Sequence, residues 1–237
     1  MPRPLFRNII ITCEHAGNRV PAGYERLFAG REEILKLHRG WDPGAKELAV
    51  AISHALEAPL FLYEYTRLLV EPNRSVGHRA LFSEFTRKLP VGQKEAVLNR
   101  FYRPYRNEVV EAIDSITESG QSVLHISVHT FTPELNGKVR DVDVGLLYDP
   151  ARPGEKEFCR GWKRELVRRV PDLRTLMNKP YLGVSDGFTT SLRKQFPDEM
   201  YGGIELEVNQ RFYDEGEESW VRVGQQIARS LLEFAGS

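Results

Sequence analysis

Histidine and glutamate side chains stand at the ends of three segments that have the composition of buried strands. His15 follows the first of these segments, and His129 follows the second. The third segment contains Glu205 and Glu207. Ligands in open α/β sheets bind beyond the carboxyl ends of strands, so these side chains can converge. A catalytic zinc site needs three nitrogen or oxygen ligands and an open position. The pattern therefore indicates a candidate metal site, although a histidine there can also be an ordinary hydrogen-bonded loop residue.

A second group of residues has the chemistry for binding an anion. Arg67 and Arg74 flank the apolar residues 68–70, and Asn73 stands beside the second arginine. The planar guanidinium fork of arginine matches the geometry of a carboxylate. An Asn-Arg pair directly after a short strand would suit recognition of a substrate carboxylate. The alternative is a pair of surface arginines on a solvated loop.

The apolar pattern predicts the elements that position these residues. β-branched or apolar runs predict strands at 8–13, 59–65, 68–70, 122–128, 142–148 and 203–208. Helical spacing predicts helices at 43–56, at 91–116 with a break before Pro104, at 155–170 and at 217–234. Strands that alternate with helices predict an α/β fold with three layers, in which a mostly parallel mixed sheet has helices on both faces. We expect a single domain over residues 1–237.

Composition excludes several classes of partner. Lysine plus arginine and aspartate plus glutamate both number 33, so net charge gives no reason to expect nucleic acid or an anionic membrane as a partner. No apolar run approaches the roughly 18 residues of a membrane helix. Cys13 and Cys159 are too few and too distant to form a disulfide framework. We therefore predict a cytoplasmic protein.

Several short motifs occur in an order that resembles a known family. They are His15-Ala16-Gly17, Asp42-Pro43-Gly44-Ala45, Pro72-Asn73-Arg74, Val128-His129-Thr130 and Leu206-Glu207, together with the segments 178–181 and 186–189. Over residues from about 9 to 211, the chain resembles the N-formylglutamate amidohydrolase family. The resemblance implies a zinc-carboxypeptidase-like (phosphorylase/hydrolase-like) fold, which is also similar to that of aspartoacylase.

The same resemblance implies roles for individual residues. His15 and His129 would be the two histidine ligands of a zinc ion. Glu207 would stand where carboxypeptidases have their general base. Asn73 and Arg74 would hold the carboxylate of the substrate.

The third metal ligand departs from the pattern of the carboxypeptidase relatives. Those enzymes have His-x-x-Glu at the first strand end, and this chain has Asn18 in the place of the glutamate. We predict Asp42 as the replacement ligand, with Glu14 as the second choice. A neutral Asn18 would bind zinc less well.

Further residues complete the predicted pocket. An arginine close to the metal, Arg67 or Arg39, could stabilise the oxyanion that forms at the attacked carbonyl. Tyr181 belongs to one of the segments that carry the resemblance, and we assign it and Arg39 to substrate binding.

Together these residues predict metal-dependent hydrolysis of the acyl-amide bond of an N-acyl amino acid such as N-formyl-L-glutamate. The products would be formate or another acid and the amino acid. The expected cofactor is one Zn²⁺ per chain, and the expected partner is a small-molecule carboxylate substrate. Two alternatives stay open: a metal-free module that binds an amino-acid-like ligand, and a peptidase or deacylase acting on another N-acyl substrate. A phosphatase or nuclease with two metal ions would need more acidic ligands near the histidines.

Overall fold

A six-stranded sheet forms the centre of the computed structural model, which describes residues 6–235. The strand order is β2-β1-β3-β8-β6-β7. These strands are β1 (Asn8–Cys13), β2 (Leu60–Leu62), β3 (Val123–Phe131), β6 (Val144–Leu147), β7 (Thr175–Met177) and β8 (Tyr201–Asn209). The first four strands in this order run parallel, whereas β6 is antiparallel to β8 and parallel to β7. The sheet is therefore mixed and mostly parallel, as predicted. A separate antiparallel hairpin consists of β4 (Glu134–Leu135) and β5 (Lys138–Val139).

Helices cover both faces of this sheet. They are α1 (Glu32–Lys36), α2 (Ala45–Leu56), α3 (Val91–Val97), α4 (Arg103–Glu118), α5 (Pro153–Arg169), α6 (Phe188–Arg193), α7 (Arg211–Asp214) and α8 (Glu217–Ala235). One apolar core joins the sheet to α2, α5 and α8, and a second joins the opposite face to α4 and α6. The predicted three-layer α/β class is thus confirmed. Within the described residues, no helix is both long and apolar enough to span a membrane.

Alternation along β3 and β8 separates apolar from polar side chains. In β3, Leu124, Ile126 and Val128 enter the first core. Their neighbours His125, Ser127 and His129 therefore face the other way, because successive strand residues point to opposite faces. The same alternation in β8 sends Ile204, Leu206 and Val208 into the first core and the two glutamates to the opposite face.

The register between β3 and β8 brings the polar residues together. Ser127 is paired with Glu205, and His129 is paired with Glu207. β3 is buried along its whole length, so His129 is shielded from bulk water. Sheet geometry alone therefore places a histidine and a glutamate side by side at the carboxyl end of the two central strands.

The prediction of a strand at residues 68–70 is wrong, because residues 67–69 form a turn and residue 70 belongs to no strand. The backbone N–H of Leu69 donates to the carbonyl oxygen of Thr66 at 3.0 Å. The hydroxyl oxygen of Thr66 accepts from the N–H of Leu68 at 3.3 Å, which is a turn that threonine favours. Leu69 and Val70 are fully buried, so a buried turn has the same apolar composition as a short strand.

Other boundaries differ less. The predicted strand 59–65 shortens to three residues, followed by an isolated bridge between Arg19 and Tyr65. The predicted break before Pro104 is instead a π-helical turn over Leu98–Tyr102, after which α4 continues. Pro104 fits at the start of α4 because the first helical turn needs no N–H donor there. β7, the β4–β5 hairpin and the short helices α1, α6 and α7 were not predicted.

Candidate active site

Three buried side chains meet at the carboxyl end of the central strands. His15 follows β1, His129 lies in β3, and Asp42 precedes α2. The Nδ1 atoms of the two histidines are 3.1 Å apart, and each lies 3.0 Å from Oδ2 of Asp42. The backbone N–H of Asp42 also donates to the carbonyl oxygen of His15 at 3.1 Å, which fixes the loop before α2. We call these three residues the ligand triangle.

The ligand triangle fits a divalent metal ion. Two imidazole nitrogens and one carboxylate oxygen are donors that zinc prefers. Ligand atoms of a tetrahedral zinc, each about 2.0–2.1 Å from the ion, lie about 3.3 Å apart, close to the separations seen here. Within the described residues, the triangle is the group of three His, Cys, Asp or Glu side chains that could hold an ion.

Each histidine of the triangle has a buried glutamate behind it. Oε1 of Glu71 lies 2.6 Å from Nε2 of His15. Oε2 of Glu14 lies 3.2 Å from Nε2 of His129. A carboxylate at Nε2 accepts a hydrogen bond from the N–H at that position, so the neutral ring has no proton on Nδ1 and Nδ1 is free to bind a metal, as is common for metal-binding histidines. Both rings are therefore oriented with Nδ1 toward Asp42.

Glu14 is the centre of a buried hydrogen-bond network. Tyr105 donates its hydroxyl to Oε1 of Glu14 at 2.9 Å, and Ser127 donates to Oε2. Burial alone would raise the pKa of Glu14, but its hydrogen bonds and the charge of His129 lower it well below the ordinary value. Glu14 thus lies behind a histidine rather than in the triangle. Asn18 is also elsewhere, because its amide donates to the carbonyl oxygen of Leu35 at 2.9 Å.

Charge in the triangle is balanced between acid and base. Burial alone would raise the pKa of Asp42, but His15, His129 and the cation of Arg67 lower it strongly. Burial alone would lower the pKa of His129, yet contacts with Asp42 and Glu14 raise it well above the ordinary value. Without a metal, the raised pKa of His129 favours a second proton on its imidazole, and that positive charge offsets the negative charge of the carboxylates.

Arg67 ties two of the carboxylates together. Its Nη1 donates to Oδ1 of Asp42 at 3.1 Å, and its Nη2 lies 2.6 Å from Oε2 of Glu71. Its side chain is 26% exposed and lines the pocket above the triangle. The guanidinium is thus held next to the triangle while one side still faces the cavity.

Glu207 is a buried acid of the pocket that leaves one carboxylate oxygen without a hydrogen bond in the described part of the chain. It lies on β8 opposite His129, and its Oε2 makes no hydrogen bond within the described residues. Burial, with the charges of Asp42 and Glu205 nearby, raises the pKa of Glu207 to about 8, although His129 and Arg67 act in the opposite direction. A carboxyl group with a pKa close to neutral is suited to taking up and releasing a proton. Glu205, by contrast, has a hydrogen-bond partner: the hydroxyl of Thr189 donates to its Oε1 at 2.9 Å.

Asn73 and Arg74 both line the pocket. Asn73 is buried, and Arg74 is partly buried. Oδ1 of Asn73 accepts from the backbone N–H of Phe188 at 2.6 Å, and its Nδ2 lies 3.3 Å from Nε2 of His129. Nη1 of Arg74 donates to the carbonyl oxygens of Asn73 and Asp186. Nε and Nη2 of Arg74 form no hydrogen bond within the described part of the chain, so this guanidinium can take a further acceptor.

These side chains surround one pocket of about 220 Å³. It is lined by His15, Asp42, Arg67, Asn73, Arg74, His129, Thr130, Tyr181, Leu182, Ser185, Asp186, Glu205 and Glu207. Tyr181 is 42% exposed and stands at its rim. Of the residues predicted for the site, Arg39 does not line the pocket, because its guanidinium pairs with Glu84. All the others do.

A match that extends over most of the sequence establishes the family. The family model for N-formylglutamate amidohydrolase matches residues 7–214. The chain belongs to the N-formylglutamate amidohydrolase family. A comparison with curated proteins gives no match. The matched segment contains every residue of the ligand triangle, both glutamates behind the histidines, and Glu207.

Two solved structures have the same fold as this member of the N-formylglutamate amidohydrolase family. The gene product Atu2144 from Agrobacterium tumefaciens is 24% identical, with a TM-score of 0.80, and the match covers 97% of this chain and 89% of that one. The N-formylglutamate amidohydrolase from Ralstonia eutropha JMP134 is 20% identical, with a TM-score of 0.72, and the match covers 100% and 95% of the two chains. At these identities the comparison concerns the fold.

Some site residues of this family member escaped the sequence analysis. Glu71 was not singled out, although it stands four residues after Arg67, the spacing at which it now pairs with that arginine. Ser185, which lines the pocket from the loop before α6, was not singled out either. Its neighbour Asp186 belongs to a segment that carries the family resemblance, but no role was predicted for it. The carboxylate of Asp186 accepts from both the backbone N–H and the hydroxyl of Ser75. That contact joins positions 111 residues apart, so no local pattern could have indicated it.

Proposed function

We propose that the chain is a zinc-dependent amidohydrolase that cleaves the acyl-amide bond of N-acyl amino acids such as N-formyl-L-glutamate. One observation carries the proposal: a metal-competent triangle and an unpartnered buried acid face the same pocket as an arginine with open hydrogen-bond donors. The family supports amidohydrolase chemistry, whereas the metal and the substrate are parts of our proposal.

His15, Asp42 and His129 would hold one zinc ion per chain. When bound, zinc supplies a Lewis acid that polarises the acyl carbonyl and makes water more acidic. Glu71 and Glu14 keep the two rings oriented before the ion arrives, so binding costs little rearrangement.

Glu207 would act as the general base and then as the general acid. Its free Oε2 can accept a proton from the attacking water. The protonated carboxyl can then donate to the nitrogen of the leaving amine, which cannot depart as an anion. Low water access keeps this proton on the carboxyl between the two steps.

Arg74 and Asn73 would position the substrate through its carboxylate. The open Nε and Nη2 of Arg74 can form a fork with two carboxylate oxygens. Arg67 would stabilise negative charge that develops on the carbonyl oxygen, because its guanidinium is fixed beside Asp42 and partly faces the pocket. Tyr181 would close the rim. The proposal leaves out Arg39, whose partner is Glu84.

The test combines metal analysis with an amine-release assay. Protein purified without added metal is analysed for zinc, and a panel of N-formyl and N-acetyl amino acids is then assayed for release of the free amine. We expect about one zinc per chain, turnover of N-formyl amino acids, and loss of turnover in Glu207→Gln. Glu111→Gln, which changes an exposed acid on α4, is the matched control.

Two results would contradict the proposal. Tight binding of amino-acid-like ligands without zinc and without amine release would indicate a binding module. Turnover that is confined to peptides or to other acyl groups would indicate a peptidase or deacylase. The single-domain organisation over residues 1–237 and the cytoplasmic location stay predictions from the sequence.

A further inference from the structure

The residues that would bind the substrate carboxylate stand on a short turn, residues 72–74, which we call the carboxylate-binding turn. These residues belong to no helix or strand. The backbone N–H of Arg74 donates to the carbonyl oxygen of Glu71 at 3.2 Å, which closes the turn on itself. Binding side chains keep a fixed position only if rigid elements around them hold their backbone. The contacts that hold this turn therefore bear on how the site works.

One helix reaches both ends of the carboxylate-binding turn. The hydroxyl of Tyr102 donates to the carbonyl oxygen of Arg74 at 2.6 Å. Nη1 of Arg106 donates to the carbonyl oxygen of Pro72 at 3.1 Å. Tyr102 ends the π-helical turn before α4, and Arg106 lies four residues further on in α4, so the two side chains point to the same side. A π-helical turn within a helix is rare and is frequent at functional sites.

Arg106 is held so that its hydrogen bond to the turn is fixed. The residue is 8% exposed, and its Cζ lies 4.0 Å from the ring centre of Phe188 and 5.1 Å from that of Tyr102. A charged side chain is almost never buried without a partner, and here a main-chain oxygen of the turn accepts from the cation. The N–H of Phe188 in turn donates to Oδ1 of Asn73. Arg106 thus contacts the turn directly and also packs on the residue that holds Asn73.

Tyr102 and Arg106 themselves do not line the pocket, so they can act on a ligand only through the turn. We propose that Tyr102 and Arg106 are positioning residues, which set the distance between the carboxylate-binding turn and the ligand triangle. The inference rests on the proposed amidohydrolase function, in which Arg74 binds the carboxylate while the amide meets the metal. A substrate that must reach two points at once is sensitive to their separation.

The kinetic test removes one hydroxyl and leaves the ring in place. Tyr102→Phe raises KM for N-formyl-L-glutamate by about threefold to tenfold, the worth of one hydrogen bond. The value of kcat changes by less than about twofold, because the carboxylate is bound equally in the ground and transition states. Arg106→Lys, which keeps the charge and loses the planar stack, changes KM in the same direction. An unchanged KM in Tyr102→Phe would overturn the inference.

A double-mutant cycle distinguishes positioning from a general structural role. Arg74→Met removes the side chain through which Tyr102 acts. In that background we expect Tyr102→Phe to change KM by less than about twofold, because residues that act as one unit are not additive. The same factor in both backgrounds would mean that Tyr102 only stabilises the fold.

The matched control is a second buried tyrosine of the same apolar core. Tyr63 is 3% exposed, and its hydroxyl makes no hydrogen bond within the described residues. Tyr63→Phe therefore removes a hydroxyl of the same kind without touching the turn, and it leaves KM unchanged. A rise in KM equal to that of Tyr102→Phe would assign the effect to the core and not to the turn.

Hydrogen exchange separates this inference from the proposed function, because it needs no substrate. Amide exchange is followed by mass spectrometry in peptides that contain residues 71–75. We expect Tyr102→Phe to speed exchange there by about threefold or more and to leave α8 unchanged. If this holds and no N-acyl amino acid is hydrolysed, the proposed function is wrong and the hold of α4 on the turn stands. Unchanged exchange in the turn overturns the inference whether or not hydrolysis occurs.

Discussion

The protonation of Glu207 in the metal-free protein leads to a quantitative prediction for stability. Its pKa is raised from an ordinary value of 4.5 to about 8 in the folded chain. Between these two pH values the folded state keeps the proton and the unfolded state has released it. Raising the pH therefore favours unfolding, and stability falls until the pH passes the folded pKa.

The magnitude follows from the size of the shift. Each pH unit costs about 1.4 kcal/mol, and the interval is 8 minus 4.5, or 3.5 units, so the total approaches about 5 kcal/mol. Glu207→Gln cannot ionise and lacks this contribution. The unfolding free energy of the unaltered protein should thus fall relative to Glu207→Gln by about 1.4 kcal/mol per unit from pH 5 to pH 8.

The assay is denaturant unfolding at a series of pH values in the presence of a chelator. The difference between the two proteins removes the contribution of every other titrating group that they share. Glu111→Gln, exposed on α4, should run parallel to the unaltered protein. Adding zinc should flatten the difference, because a nearby divalent cation favours the ionised carboxylate. Parallel curves for the unaltered protein and Glu207→Gln in the chelator would refute the reasoning.

Three further predictions concern the metal and the substrate. Asp42→Asn should weaken zinc binding by at least about tenfold in a competition titration, because a neutral amide replaces a charged ligand; unchanged affinity would assign the ligand elsewhere. Glu14→Gln should weaken zinc binding by about 10–100-fold, because a neutral amide is a weaker acceptor for the N–H of His129 and orients its ring less firmly. A folded variant with full zinc affinity would disprove this role. Arg74→Lys should raise KM for N-acyl amino acids about tenfold or more, with a smaller effect on analogues whose carboxylate is amidated. An equal loss on both would mean that Arg74 serves the oxyanion or the fold.

The sequence predicted the central strands and the residues at their ends, because alternation and burial leave a local pattern. β1 ends just before His15, as the apolar run indicated. The second run was predicted to end at Val128, whereas β3 extends to Phe131 and so contains His129. The glutamates of β8 were placed correctly on one face for the same reason, and both line the pocket. Asp42 was preferred over its alternatives, and the structure brings it to both histidines.

What could not be predicted depends on contacts between distant residues. The positions of Glu71 and Glu14 behind the histidines follow from the way separate segments pack, which no spacing reveals. Arg39 was assigned to the pocket because it precedes Asp42 by three residues, yet its side chain turns to Glu84. The turn at 68–70 was mistaken for a strand because burial makes both apolar.

The pairing of β3 with β8 also has a consequence for how the chain folds. Val123 is in register with Tyr201, so the two central strands join positions 78 residues apart, 201 minus 123. Pairing over such a separation is slow, because the entropy of closing the loop is lost before the contacts form. His129 meets Glu207 only through this pairing. On refolding, helical structure should therefore return early and hydrolytic competence late, with the slowest step of sheet assembly.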